Sequence, residues 1–204
     1  MKLQAIKKCC NDTGTYVLFN CPDGQQWISN GTAMWPVEGI TLTEEAIPAL
    51  FDITEKKREE TSIRAVESTD ERFQIVPIHT EAPLEEVGLV LVGGRVFRVL
   101  DSLYGVLMIN TELEKPAQKP KTDLRYFLRA KEGRVPLVAI YADMFVAGLV
   151  LPLNGKAAQK VLDEMARVGS MHARPVTKED LEPDEETGEQ LSVKGERNET
   201  QPTV

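Results

Sequence analysis

Turn dipeptides cut this chain into short apolar runs, and that punctuation limits its fold more than any other feature. Asp23-Gly24 and Asn30-Gly31 separate "TYVLFN", "QQWISN" and "TAMWPV", and Gly93-Gly94 separates "VGLVLV" from "RVFRVL". Asp-Gly, Asn-Gly and Gly-Gly are the residue pairs that two-residue hairpin loops favour, because both central positions need positive φ. The runs "SIRAVES", "RFQIVPIH", "GVLMIN", "LRYFLRA", "PLVAIY" and "MFVAGLVL", the last two meeting about Ala142-Asp143, also have strand length. The pattern predicts an α+β fold of largely antiparallel sheets with two or three helices.

The helices are expected in two places. "TLTEEAIPALFDITEKKREE" carries acids early and Lys56, Lys57 and Arg58 late, as the helix macrodipole prefers, with Thr43 as N-cap; Pro48 and the stretch Asp52 to Thr54 interrupt it. "NGKAAQKVLDEMARVG" sets Ala158, Val161, Leu162 and Met165 on one face, between Asn154 as N-cap and Gly169. Three strands, a helical link and two strands describe residues 15–79, and the same order describes 87–153, so the pattern suggests an internal pseudo-repeat.

Length and charge set the domain reading. Of the 204 residues, 1–169 are expected to form a single α+β domain, a size that buries a substantial core. Residues 170–204 read as a disordered acidic tail, since they hold almost no large apolar side chains. From Thr177 to Val204 nine acids stand against three bases, so −6 of the net charge of −8 lies there. The remaining body is close to neutral, unlike the basic surface that binds nucleic-acid phosphates. The N-terminus "MKLQAIKKCC" lacks the apolar core of a signal peptide, and the apolar run "VPLVAIYADMFVAGLVLPL" is broken by Asp143. A cytoplasmic protein with no membrane partner is expected.

Both tryptophans of the chain, Trp27 and Trp35, lie in the second hairpin. A two-residue loop at Asn30-Gly31 places them on opposite faces, with Trp27 beside Met34. A two-residue loop at Asp23-Gly24 then adds Tyr16 and Leu18 to the Trp27 face and Phe19 to the Trp35 face. Both faces of this sheet are apolar, as are both faces of the Gly93-Gly94 hairpin, so each needs a cover. Tyr16, Leu18, Trp27 and Met34 are therefore the candidate partner-binding residues, as an exposed aromatic and methionine patch.

Motifs for chemistry are absent from the sequence. "VGGRVF" joins two strands and is not a phosphate loop. His79 and His172 have no metal-ligand spacing, Cys9, Cys10 and Cys21 form no Cys-x-x-Cys pair, and no two carboxylates are placed as acid and base. No catalytic residue, metal, cofactor or small-molecule ligand is assigned. Cys9 or Cys10, beside Lys7 and Lys8, is the one thiol candidate, because neighbouring cations lower a thiol's pKa.

The cadence Val150 to Leu153 at the end of "PLVAIYADMFVAGLVLPLN" resembles the closing hairpin of the DNA sliding clamps, and "GRVFRVLDSLYGVLMINTELEKP" is similar to a clamp's paired strands leading into a helix. The resemblance covers residues 87–154 and implies repeated units of sheet and helix. It implies DNA contact only within an oligomeric assembly, a ring of about six copies for domains of this length. In style the chain is also similar to products of bacterial phages and mobile elements. The expectation is a non-enzymatic binding or assembly protein, acting through a protein partner or self-association; the alternative is a small thiol-dependent enzyme using Cys9 or Cys10.

Overall fold

Helix α1 (Leu3–Thr13) opens the chain, a helix the turn pattern did not announce. Ile6, Cys9 and Cys10 recur at the i, i+3, i+4 spacing and are all buried, so the adjacent cysteines serve as small apolar side chains on its inner stripe. Strands β1 (Thr15–Asn20), β2 (Gln26–Ser29) and β3 (Ala33–Val37) follow as a meander. Short helices α2 (Ala46–Leu50) and α3 (Glu55–Arg58) divide the helical stretch expected over residues 41–60 at the interruption expected from Asp52 to Thr54. The break comes at Asp52, which has positive φ. Thr43 does not cap α2; its carbonyl accepts the Ala46 amide in the turn before it.

The chain continues through β4 (Ser62–Glu67), β5 (Glu81–Val92), β6 (Arg95–Asp101), β7 (Leu107–Asn110), a 3-10 turn (Thr111–Glu114), β8 (Leu124–Arg129), β9 (Leu137–Ala142) and β10 (Phe145–Val150). The computed structural model describes residues 2–103, 105–119, 122–153, 158 and 163, within a unit spanning Met1–Met165. The expected acidic tail lies outside the described residues. So does most of the helix expected over residues 154–169, of which Ala158 and Asp163 are helical.

All ten strands form one sheet in the order β4-β1-β2-β3-β10-β9-β8-β5-β6-β7. Every pairing is antiparallel except β1 with β4. Strand β5 serves two neighbours in succession: residues 81–84 pair with β8, and residues 85–92 pair with β6. A bridge from Leu153 to Met108 returns the chain after β10 to β7, so that β5 to β10 curl toward closure. No helix of the described residues is long and apolar enough to cross a membrane.

Two apolar layers lie against the sheet. On face one, Tyr16, Leu18, Ile28, Trp35, Ile140 and Val150 meet Ile6 and Cys10 of α1, Ile47 of α2, and Phe51. On face two, Trp27, Met34, Ala139, Tyr141 and Leu149 meet Phe73 and Ile75. Those last two residues belong to "RFQIVPIH", which was expected to be a strand and is not one; it crosses face two as an irregular strap. Four of its carbonyls are taken by side chains, and that of Ile75 accepts the Val146 amide of β10 at 2.9 Å. Arg129 donates to the carbonyls of Arg72, Gln74 (2.7 Å) and Val76 (2.9 Å), and Trp27 Nε1 donates to that of Phe73 at 3.0 Å. A ladder partner is therefore replaced by a guanidinium and an indole. The first expected repeat accordingly lacks its fifth strand.

Candidate binding groove

The strap covers only part of face two, and beside it runs a groove of about 340 Å³. Its floor is apolar, from Val17 of β1, Met34 of β3, Leu137 of β9 and Leu149 of β10, and Phe73 of the strap forms one wall. The small residues Ser29 and Gly31 leave space at the β2–β3 end, where the Asn30 side chain shapes the turn by accepting the amides of Thr32 (3.0 Å) and Ala33 (2.8 Å). The Ser29 hydroxyl is also engaged, donating to the Ala33 carbonyl at 2.7 Å.

Three arginines stand around this floor. Arg72 is buried and fully engaged: its guanidinium grips Asp70 through contacts of 2.7 to 3.2 Å and donates to the Val135 carbonyl at 2.6 Å. That hydrogen bonding holds the Asp70 carboxyl below the usual carboxylate range. Arg64 lies directly across the parallel ladder from Val17 and so shares face two with it, while Arg134 occupies the β8–β9 loop. Both are exposed, and neither has an ion-pair partner among the described residues. The groove thus joins an apolar floor to two available cations.

The strap beside the groove is held by a buried network. Arg129, wholly buried, donates to Glu81 at 2.6 Å, and Tyr141 donates to the same carboxylate at 2.7 Å. Burial first, then the Glu81 hydrogen bond, pushes the Tyr141 hydroxyl up to about 12. These groups have their partners within the protein and are unavailable to a ligand.

The sequence-based candidates fall elsewhere than expected. Tyr16, Leu18, Trp27 and Met34 are all buried, and they divide between the two faces, so they form no exposed patch. The correction has one cause. The first hairpin turns through Pro22, Asp23 and Gly24, closed by the Cys21 amide on the Gln25 carbonyl, and pairs Leu18 with Ile28 and Phe19 with Trp27. A slip of one residue relative to a two-residue loop moves every side chain of β1 to the other face. In the second hairpin the loop is Gly31-Thr32, a shift of two that preserves the faces, so Trp27 and Trp35 do lie on opposite sides. Of the four candidates only Met34 lines the groove.

Cys9 and Cys10 lie on the inner stripe of α1, away from the groove. Burial, assisted by Asp12 and Glu112, pushes the Cys9 thiol up to about 11, and burial also raises that of Cys10. Lys8, expected to activate a thiol, donates instead to Glu112 at 3.1 Å. The geometry does not provide the low-pKa, accessible thiol that the enzyme alternative requires. The groove residues that the sequence reading missed are Arg64 and Arg134. Arg64 did leave a signal, as a cation at the position of "SIRAVES" that alternates with the inward Ile63.

Comparison of the chain with family models, with curated proteins and with solved structures finds no match. The sliding-clamp resemblance of residues 87–154 therefore rests on sequence cadence alone.

Proposed function

We propose that the chain is a non-enzymatic binding protein whose groove takes an extended segment of a partner protein, one that presents carboxylates on either side of apolar residues. The observation that carries this reading is the pair Arg64 and Arg134, unpaired among the described residues and flanking an apolar floor, in a chain with 32 acidic against 24 basic residues. Acids are plentiful in this protein, yet none among the described residues pairs with these two arginines. Apolar burial would supply affinity, and guanidinium–carboxylate forks would fix the register of the bound segment. The lining residues include no histidine, cysteine or carboxylate, which suits retention better than turnover.

Panning a display library of random dodecapeptides against the full chain tests this directly, with Arg64→Ser/Arg134→Ser as the counter-target. Recovered peptides should alternate Asp or Glu with Leu, Ile, Val or Phe. Each arginine removed should weaken a resynthesised peptide by about tenfold, the size of a charge-assisted hydrogen bond. A library that shows no enrichment, or peptides that bind the double variant equally well, would overturn the reading.

A further inference from the structure

Among the described residues several stretches of strand edge have no β partner, and those of β4, β7 and β5 differ in how they are guarded. At β4 the carboxylate of Glu44 accepts the outward amide of Ala65 at 2.8 Å. At β7 the Leu153 amide donates to the Met108 carbonyl at 2.8 Å. Along the second half of β5, once β8 has diverged after Leu84, no backbone hydrogen bond among the described residues uses the outer edge. After Glu85 and Glu86 this stretch reads Val87, Gly88, Leu89, Val90, Leu91, Val92, and these six include none of the charged residues or prolines that ordinarily prevent edge pairing.

The phase of the β5–β6 hairpin decides which groups face outward. The loop is Gly93-Gly94, with φ of 56° and 76°, closed by Val92 opposite Arg95. Counting back from a two-residue loop, Val92 and Val90 exchange hydrogen bonds with β6, so the amides and carbonyls of Leu89 and Leu91 point to the open edge. The side chains of the same two residues are exposed, Leu89 by 57% and Leu91 by 70%, whereas the opposite side of the hairpin, Val90, Phe97 and Val99, packs with Met108 and Ala158. Polar backbone and apolar side chains are thus presented together.

We propose that this edge pairs with the same edge of a second copy, antiparallel about a twofold axis at Val90. The arrangement complements itself. Leu89 faces Leu91 of the second copy and Leu91 faces its Leu89, both as narrow pairs, forming roughly four backbone hydrogen bonds and a shared leucine cluster. Arg95 lies on β6, on the side of β5 away from the second copy, and Glu86 is already paired with Arg98, so the contact is carried by the strand edge and the leucines. The irregularity between Glu86 and Gly88 ends the pairing at the far side, which limits the contact to a short segment. An isologous contact of this kind closes at two copies and does not build a ring.

Light scattering on the full chain at about 100 µM should give twice the monomer mass of 22.7 kDa, with dissociation on dilution. Leu89→Lys/Leu91→Lys should weaken association at least tenfold, while Leu103→Lys, at an exposed leucine outside the strand, should leave it unchanged. The register has its own test. Val90→Cys should form an intermolecular disulfide on mild oxidation, because residue 90 meets itself, whereas Leu91→Cys alone should not, because it meets residue 89. A monomer at all concentrations, or a dimer indifferent to the lysine pair, would overturn the proposal. Equal crosslinking of both cysteine variants would overturn the register.

Discussion

Arg129 shows how one side chain decides the course of a whole segment. Wholly buried on β8, it satisfies Glu81 and three carbonyls of the strap at once, so its charge is both paired and fully hydrogen-bonded. Replacing it by Met leaves the Glu81 carboxylate buried beside unpaired carbonyls. A loss of about 3–5 kcal/mol is expected by urea denaturation, the range for breaking one side of a buried pair. Arg129→Lys should recover little of this, since an ammonium cannot span Glu81 and carbonyls two residues apart with a planar fork. The double variant Arg129→Met/Glu81→Leu should be less destabilised than the sum of the single changes, because the stranded charge is then gone. Additive losses would show that the carboxylate and the guanidinium do not depend on each other.

At the level of elements, the hairpin loops decided what the sequence could reveal. The Gly93-Gly94 loop formed with the register its dipeptide implies, and so the alternation of Val90 with Leu89 and Leu91 was legible in advance. At Asp23-Gly24 the same rule missed by one residue. Pro22 joins the loop and Gly24 takes a φ of 82°, and that single residue exchanged the partners of Tyr16, Leu18 and Phe19. The strap was illegible for another reason. "RFQIVPIH" has the composition of a strand, but its side-chain partners, Trp27 and Arg129, are 46 to 57 residues away and its one bond to a strand backbone comes from Val146 of β10, and no local pattern records them. Helix α1 was legible in principle, through the spacing of Ile6, Cys9 and Cys10, had cysteine been scored as an apolar residue. The loop length itself can be tested. Deleting Asp23 leaves Pro22 and Gly24 as a two-residue connection still closed by Cys21 on Gln25, so Leu18 stays opposite Ile28 and the cost is confined to the turn. A loss of about 1 kcal/mol by urea denaturation, with tryptophan emission unchanged, is expected, as for one glycine inserted after Gly24. Loss of cooperative unfolding with a red shift of that emission would show instead that the three-residue loop itself fixes the register.

The molecule as a whole covers face one with helices and face two with a strap, and each cover buries groups that resist ionisation at high pH. Cys9 lies on the inner stripe of α1, and Cys21 lies beside the strap, its thiol donating toward the Phe73 carbonyl. Burial, followed by nearby carboxylates, pushes both thiols up to about 11. An unfolded thiol titrates near 8.5, so over the interval up to about pH 11 the folded chain binds protons that the unfolded chain has released. The stabilisation is therefore complete below the unfolded value and is lost as pH rises through the folded one. Unfolding free energy should fall from about pH 8.5 to 11, by up to about 2 kcal/mol for Cys9. Denaturation midpoints measured across that interval give the slope, and Cys9→Ala/Cys21→Ala should flatten it even though the variant is less stable at pH 7. A slope unchanged in that variant would assign the alkaline loss to other groups, Tyr141 first among them, since its hydroxyl titrates at about 12 under the same strap.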